Sequence, residues 1–141
     1  MNREELHSII ADGQPNICQI VAIKDNEIVY SDTWNNYKEK DNVHIASVTK
    51  SVMSILIGIA IDKCLIKSVN QKVLEFFPEY VLKRGEKTIQ GVTLYHLLTM
   101  TAPYKYKTEP WTKVCTSKDW TKSVLDLLGG KNGITGEFKY S

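Results

Sequence analysis

The sequence predicts an α+β fold in which several helices accompany one β-hairpin, so that the sheet is incomplete within this chain. Residues 17–23 and 27–34 are β-branched runs separated by residues 24–26, Lys-Asp-Asn, and Asp-Asn tolerates the positive φ angles of a hairpin turn. Residues 47–64 carry the strongest helical periodicity. An isolated hairpin is marginal in water, so these two strands need further structure to cover them.

The other elements follow from apolar spacing and from turn residues. Residues 2–11 have the pattern of a short amphipathic helix that stops near Gly13. The remaining predicted segments are a charged loop at 37–42, short helices at 69–77 and 93–100, an aromatic and lysine-rich loop at 104–111, and a helix at 117–128. Thr93 and Ser117 are the expected N-caps of the last two helices. Val124, Leu127 and Leu128 are expected to face inward.

Length and composition indicate one globular unit covering residues 1–141, with a helix and hairpin in 1–46 and a mostly helical part in 47–141. The chain has 141 residues, of which 43% are hydrophobic and 24% are charged. These fractions exclude disordered and fibrous classes, and the length allows a core without disulfides. Because the helix at 47–64 is apolar almost all round, we expect it to be buried inside a larger body.

Charge and cysteine usage narrow the possible partners and cofactors. A formal net charge of +2 argues against a nucleic-acid partner, and the apolar run at 52–61 is too short to span a membrane. The N-terminus lacks an apolar signal region, so a cytoplasmic location is expected. The three cysteines are far apart, with no Cys-x-x-Cys pair, and the histidines have no ligand partner at finger spacing. A metal site is therefore not expected.

Ser47-Val-Thr-Lys50 is a Ser-x-x-Lys tetrad at the start of the most apolar helix. Residues three apart on a helix share a face, so the Lys50 amine, once it has lost its own proton, can take the proton of the Ser47 hydroxyl. The helix N-terminus also directs amide N–H groups toward the serine end, which favours an oxyanion there. Such pairs also arise by chance, but an unpaired amine is costly to bury, which makes a lysine here unusual.

Two further sites were considered from the residues alone. Tyr140 follows a glycine-rich loop and could act as a base if a cation lowered its pKa, but the residues alone favour an ordinary aromatic residue near a chain end. Residues 104–113 interleave aromatic rings with lysines, as single-strand nucleic-acid binders do, but this pattern is more often a solvated rim. His7, His44 and His96 are interpreted as structural.

Segments of the chain resemble, in order, the penicillin-recognising serine hydrolases, which include class C β-lactamases, DD-peptidases and related esterases. Residues 44–63 resemble the family's serine-lysine motif with its helix, and residues 65–79 resemble the segment after it. Residues 88–101 resemble its Ile-Thr-x-x-x-Leu-Leu-Thr region, and residues 118–120 and 136–141 resemble the approach to its Tyr-x-Asn motif. The resemblance implies the N-terminal part of the DD-peptidase/β-lactamase fold.

The resemblance also implies an activity and the roles of three residues. Ser47 would be acylated, Lys50 would assist as the base, and Tyr140 would pass a proton to the leaving group. The expected function is a serine hydrolase that forms an acyl-enzyme from a small-molecule or peptide amide or ester. Neither a metal nor an organic cofactor is implied.

Departures from the family pattern lead to further expectations. The asparagine of Tyr-x-Asn and the third motif, Lys/His-Thr/Ser-Gly, are not in the sequence, and Cys64 stands where a glycine is common. A truncated β-lactamase-like domain of this kind is expected to be inactive or nearly so. The alternative is a non-catalytic β-lactamase-like fragment or interaction module. The open hairpin edge is expected to favour self-association.

Overall fold

A computed structural model describes residues 2–108 and 110–140, which form five α-helices and one two-stranded antiparallel sheet. The chain divides into two compact units, the first ending at Ala46 and the second beginning at Ser47. This α+β arrangement is consistent with a partial β-lactamase-type domain. No helix of the described residues has the length and apolar character needed to cross a membrane.

The first unit contains helix α1, Arg3–Gly13, and strands β1, Gln19–Lys24, and β2, Glu27–Thr33. A capping box begins α1: the Asn2 side chain accepts from the Glu5 amide at 2.8 Å, and the Glu5 carboxylate accepts from the Asn2 amide at 3.0 Å. The predicted hairpin is confirmed, and its turn residues Asp25 and Asn26 have φ angles of 51° and 64°.

A stacked pair of rings joins α1 to the end of β2. The ring centroids of His7 and Trp34 are 5.0 Å apart, and the Trp34 indole donates a hydrogen bond to the His7 carbonyl at 3.2 Å. His7 Nδ1 also lies 3.0 Å from the Asp32 carboxylate. Trp34 is the buried hydrophobic residue of this unit. His7 is therefore a structural residue, because it fixes the helix on the hairpin.

Apolar side chains of the hairpin remain exposed, among them Val21, Ile23, Ile28 and Val29. The sheet formed by the described residues has two strands, so each strand keeps one edge unpaired within it. Exposed edges of this kind are templates for pairing with another strand. Self-association through the hairpin edge stays a prediction.

The second unit holds α2, Val48–Asp62; α3, Leu94–Leu98; α4, Trp111–Cys115; and α5, Trp120–Leu127. The helix predicted at 69–77 is reduced to the 3₁₀ turn Val73–Phe76, because the Val73 amide donates across the chain to the Val92 carbonyl at 2.9 Å. A second 3₁₀ turn, Thr88–Gly91, and helix α4 lie where no helix was predicted.

The N-cap predicted for the last helix is wrong by two residues. Asp119, not Ser117, caps α5: its carboxylate accepts from the Lys122 amide at 2.8 Å. The Ser117 hydroxyl instead accepts from the Asp119 amide at 3.2 Å, in the turn just before the helix. A charged acceptor pairs more strongly with the helix N-terminus than a hydroxyl does.

The core of the second unit is small and is built mainly by turns and by α5. Its buried residues lie in the 3₁₀ turns, in α5, and in the segments that follow the second 3₁₀ turn, α3 and α5: Val73, Ile89, Val92, Ala102, Leu125 and Leu128. Val124, predicted to face inward, is 37% exposed, whereas the neighbouring Leu125 is buried. None of the described residues of α2 is buried. The structure of this chain therefore does not bury the helix as the sequence predicted.

A charged network holds the outer face of α5. The Asp126 carboxylate accepts from the Tyr80 hydroxyl at 2.8 Å and from Lys122 Nζ at 2.8 Å, and Lys83 Nζ lies 3.1 Å away. The Lys122 ammonium, with Tyr80 and Lys83, holds the pKa of the Asp126 carboxyl well below its usual value of 3.8. Burial, and then the Asp126 carboxylate, raise the pKa of Tyr80 to about 12.

The Asp126 network should make stability depend on pH at the acidic end. Because the folded pKa of Asp126 lies below its unfolded value, its contribution is present above about pH 4 and is lost as the pH falls further. Asp126→Asn should lower the free energy of unfolding at pH 7 by about 1–2 kcal/mol and should remove that acid-dependent loss. Urea denaturation across the pH range measures both effects. Asp62→Asn, at the exposed end of α2, is the matched control, and an unchanged acid dependence in Asp126→Asn would contradict the assignment.

The end of α2 offers a second test. Cys64 follows the helix with a φ of 56°, a left-handed conformation that glycine adopts without steric cost. Cys64→Gly should therefore raise the free energy of unfolding by about 1 kcal/mol. Cys115→Gly, at the end of α4 where the φ angle is not positive, should lower it by a similar amount. Thermal denaturation of the two variants tests both expectations. A loss of stability in Cys64→Gly would refute the strain argument.

Candidate active site

Ser47 occupies the N-cap position of α2 but does not cap the helix. Its φ and ψ of −70° and −8° are helical, whereas a capping serine is normally extended, and its hydroxyl makes no capping hydrogen bond. The Lys50 amide donates to the Ser47 carbonyl at 3.0 Å, which closes the first turn through the backbone alone. The Ser47 hydroxyl is consequently available for another partner.

That partner is the Tyr140 hydroxyl, which is hydrogen bonded to Ser47 Oγ. Lys50 lies one turn after Ser47, and its Nζ is 5.4 Å from the centroid of the Tyr140 ring. A cation at this distance is attracted to the face of an aromatic ring. The structure thus brings together all three residues that were singled out from the sequence.

The residue before Ser47 is strained. Ala46 has a φ of 44°, in the left-handed region that non-glycine residues rarely occupy, at a typical cost of about 1–3 kcal/mol. Its amide donates to His44 Nδ1 at 3.1 Å. His44 was interpreted as structural, and this hydrogen bond within the turn agrees with that role. Backbone strain of this kind persists only where the surrounding structure holds it in place. It is frequent next to functional residues.

Lys139, which the sequence does not predict as a site residue, fixes the segment that carries Tyr140. Its amide donates to the Met100 carbonyl at 2.8 Å, and its Nζ donates to the Tyr106 carbonyl at 2.6 Å. The same Nζ lies 4.3 Å from the centroid of the Tyr106 ring. Met100, just after α3, has a φ of 56°, which turns its carbonyl out of the helical path. No periodicity or motif marks Lys139, since its partners are distant in sequence.

The arrangement is open to solvent. Ser47 and Lys50 are exposed, and Tyr140 is 55% exposed. The amides at the start of α2 lack the i−4 acceptor that the rest of a helix has, and the helix dipole makes this end electropositive. An oxyanion formed on a group bonded to Ser47 Oγ would therefore lie near favourable partial charge.

The other side chains that could carry chemistry either make structural contacts or are not grouped into a site. In the aromatic and lysine-rich loop, the rings of Tyr104 and Tyr106 have centroids 5.1 Å apart, and Lys105 Nζ is 3.0 Å from the Glu86 carboxylate. The three cysteines are free thiols. Within residues 2–108 and 110–140, no three His, Cys, Asp or Glu side chains are grouped as metal ligands.

A comparison with protein families identifies the chain. The family model named Beta-lactamase matches residues 18–130, which is most of the sequence. The chain belongs to the beta-lactamase family. No curated protein matches it. The matched part contains Ser47 and Lys50, whereas Tyr140 lies beyond it. Membership of the beta-lactamase family indicates a hydrolase-like protein, as the resemblance of the serine-lysine segment implied.

Lys139 should act as a positioning residue for Tyr140. Lys139→Ala removes both side-chain contacts with Tyr106, so Tyr140 should spend less time at Ser47, and covalent labelling of Ser47 by a fluorophosphonate should slow about tenfold. Lys131→Ala, in the same glycine-rich segment but exposed, is the matched control and should label normally. Thermal denaturation of each variant separates misplacement of Tyr140 from unfolding. Equal labelling rates in the two variants at equal stability would show that Lys139 has no positioning role.

Proposed function

We propose that this protein is a serine hydrolase that works through an acyl-enzyme, with a site of the class C β-lactamase and penicillin-binding type. The single observation that carries the proposal is the engagement of the Ser47 hydroxyl by the Tyr140 hydroxyl at the N-terminus of α2, with Lys50 one turn away. A serine that only capped its helix would direct its oxygen to a backbone amide instead.

In the proposed first step Ser47 Oγ attacks the carbonyl carbon of an ester or amide. The hydroxyl proton moves to the neutral Lys50 amine, directly or through the Tyr140 oxygen, and the carbonyl electron pair moves onto its oxygen. The α2 N-terminus stabilises that oxyanion. As the carbonyl reforms, the bond to the leaving group breaks, and the proton held by Lys50 passes through the Tyr140 hydroxyl to the departing oxygen or nitrogen, which returns Lys50 to the neutral amine.

In the second step water takes the place of the serine. The water attacks the ester carbonyl, its proton goes to the same base, and Ser47 leaves with a proton restored to Oγ. Once the Lys50 amine has taken a proton, its positive charge beside the Tyr140 ring stabilises negative charge that develops on the phenolic oxygen. The substrate class is a small-molecule or peptide amide or ester, including β-lactams.

Solvent exposure sets the expected rate. Water competes for every hydrogen bond in a site this open and weakens its electrostatic interactions. Loss of a single oxyanion donor typically costs about 100- to 1,000-fold in rate. We therefore expect acylation of Ser47 to be detectable and complete turnover by this chain to be slow.

The second candidate function is a non-catalytic interaction module of the same family. The observation that favours it is the amount of exposed apolar surface, which includes Val48, Ile55 and Leu56 on α2. Contiguous exposed apolar surface commonly marks a site where a partner binds. The same labelling experiment separates the two candidates, because a module without a working nucleophile would not be acylated.

Covalent modification of the Ser47 hydroxyl is the direct test, because a fluorophosphonate phosphonylates a nucleophilic serine and releases fluoride. Incubation with a fluorophosphonate should add one label to the wild-type chain, with the adduct located on Ser47 by peptide mass spectrometry. Ser47→Ala should remove the label and should reduce hydrolysis of nitrocefin and p-nitrophenyl acetate to background. Ser51→Ala, one turn further along α2 and also exposed, is the matched control and should behave as the wild type. Equal labelling of wild type and Ser47→Ala would overturn the proposal.

A further inference from the structure

An apolar groove of about 550 Å³ lies within the second unit and shares Lys50 with the candidate site. Its walls come from four helices. The apolar side chains that form them include Met53 and Ile57 of α2, Leu97 of α3, Trp111 and Val114 of α4, and Leu127 of α5. The volume is within the range of about 300–1,000 Å³ typical of small-molecule sites.

The groove has the chemistry of a site for a linear apolar chain. Most of its lining is aliphatic or aromatic, and the polar groups are few and include Thr49 and Lys50 at the start of α2. A ligand that filled it would leave its polar end near Lys50, which is 5.4 Å from the Tyr140 ring centroid. Tyr140 in turn is bonded to Ser47. The groove and the nucleophile are thus joined through one lysine.

We infer that this groove binds the linear acyl chain of an ester or amide whose carbonyl carbon is attacked by Ser47. The inference rests on the proposed function and specifies its substrate class as compounds with medium-length aliphatic acyl groups. A small molecule is favoured over a partner protein because the surface is concave and leads to a reactive serine. Each methylene buried in the groove should tighten binding about fourfold until the groove is full.

The test combines ester hydrolysis with ligand binding. Hydrolysis of p-nitrophenyl acetate, butyrate and octanoate gives kcat/KM as a function of chain length, and it should rise steeply from acetate to butyrate. Separately, calorimetry with butyrate, octanoate and decanoate on the Ser47→Ala variant measures binding without turnover. Affinity should increase with chain length, and the heat-capacity change should be negative because apolar surface is buried.

Two tryptophans provide the matched variants. Trp111 lines the groove and is 70% exposed, whereas Trp120, at the start of α5, does not line it and is 62% exposed. Trp111→Ala should weaken decanoate binding and lower the octanoate-to-acetate ratio, each about tenfold, because an apolar wall is lost. Trp120→Ala should leave both unchanged, and circular dichroism confirms that both variants are folded.

The outcomes for the groove and for the proposed function are distinguishable. Hydrolysis that depends on Ser47 but not on chain length, with no binding of decanoate, overturns the groove inference and leaves the proposed function standing. Absence of fluorophosphonate labelling at Ser47, together with chain-length-dependent binding that Trp111→Ala weakens, supports the groove as an apolar-ligand site and refutes the hydrolase. Weakening of binding in Trp120→Ala to the same extent as in Trp111→Ala would overturn the groove assignment.

Discussion

The hydrogen bond between the Ser47 and Tyr140 hydroxyls joins residues that are 93 positions apart in the chain. Each end is held by different forces. Ser47 is held by the first turn of α2, whereas Tyr140 is held by Lys139, whose amide and ammonium bind the Met100 and Tyr106 carbonyls. Because neither hydroxyl is buried, the contact persists only as long as these supports hold it.

The supports depend in turn on the small core of the second unit. Glu86 is bonded to two parts of this unit. Its carboxylate accepts from the Ile89 amide at 3.2 Å and pairs with the Lys105 ammonium. Burial alone would raise the pKa of Glu86, but these partners outweigh it and lower that pKa. Nearby, the Thr88 hydroxyl donates to the Gly130 carbonyl at 2.7 Å, and Gly130 has a φ of 130° that a side chain would not tolerate. The chain leaving α5 is thereby tied to the 3₁₀ turn before it continues toward Tyr140.

An apolar helix that buries none of its described residues is an unusual place for a nucleophile. The same feature gives the groove its apolar wall, since Met53 and Ile57 line it while Lys50 belongs both to the groove and to the candidate site. Exposed apolar surface is costly in water unless something covers it. The acyl chain of a substrate or a bound partner protein would each cover this surface. Only the substrate would place a carbonyl near Ser47.

Local pattern determined the hairpin, α1, α2 and the grouping of Ser47 with Lys50, because period-2 and period-3.6 spacing and a tolerant Asp-Asn turn act over a few residues. The residues alone made Tyr140 only one possible candidate, and the family resemblance gave it a role. Tertiary structure decided the rest: Asp119 replaces Ser117 as the cap of α5, and residues 69–77 pair with a distant segment instead of completing a helix. It also decided the role of Lys139, since that role depends on carbonyls brought close only when the whole unit folds, and no local pattern encodes such contacts.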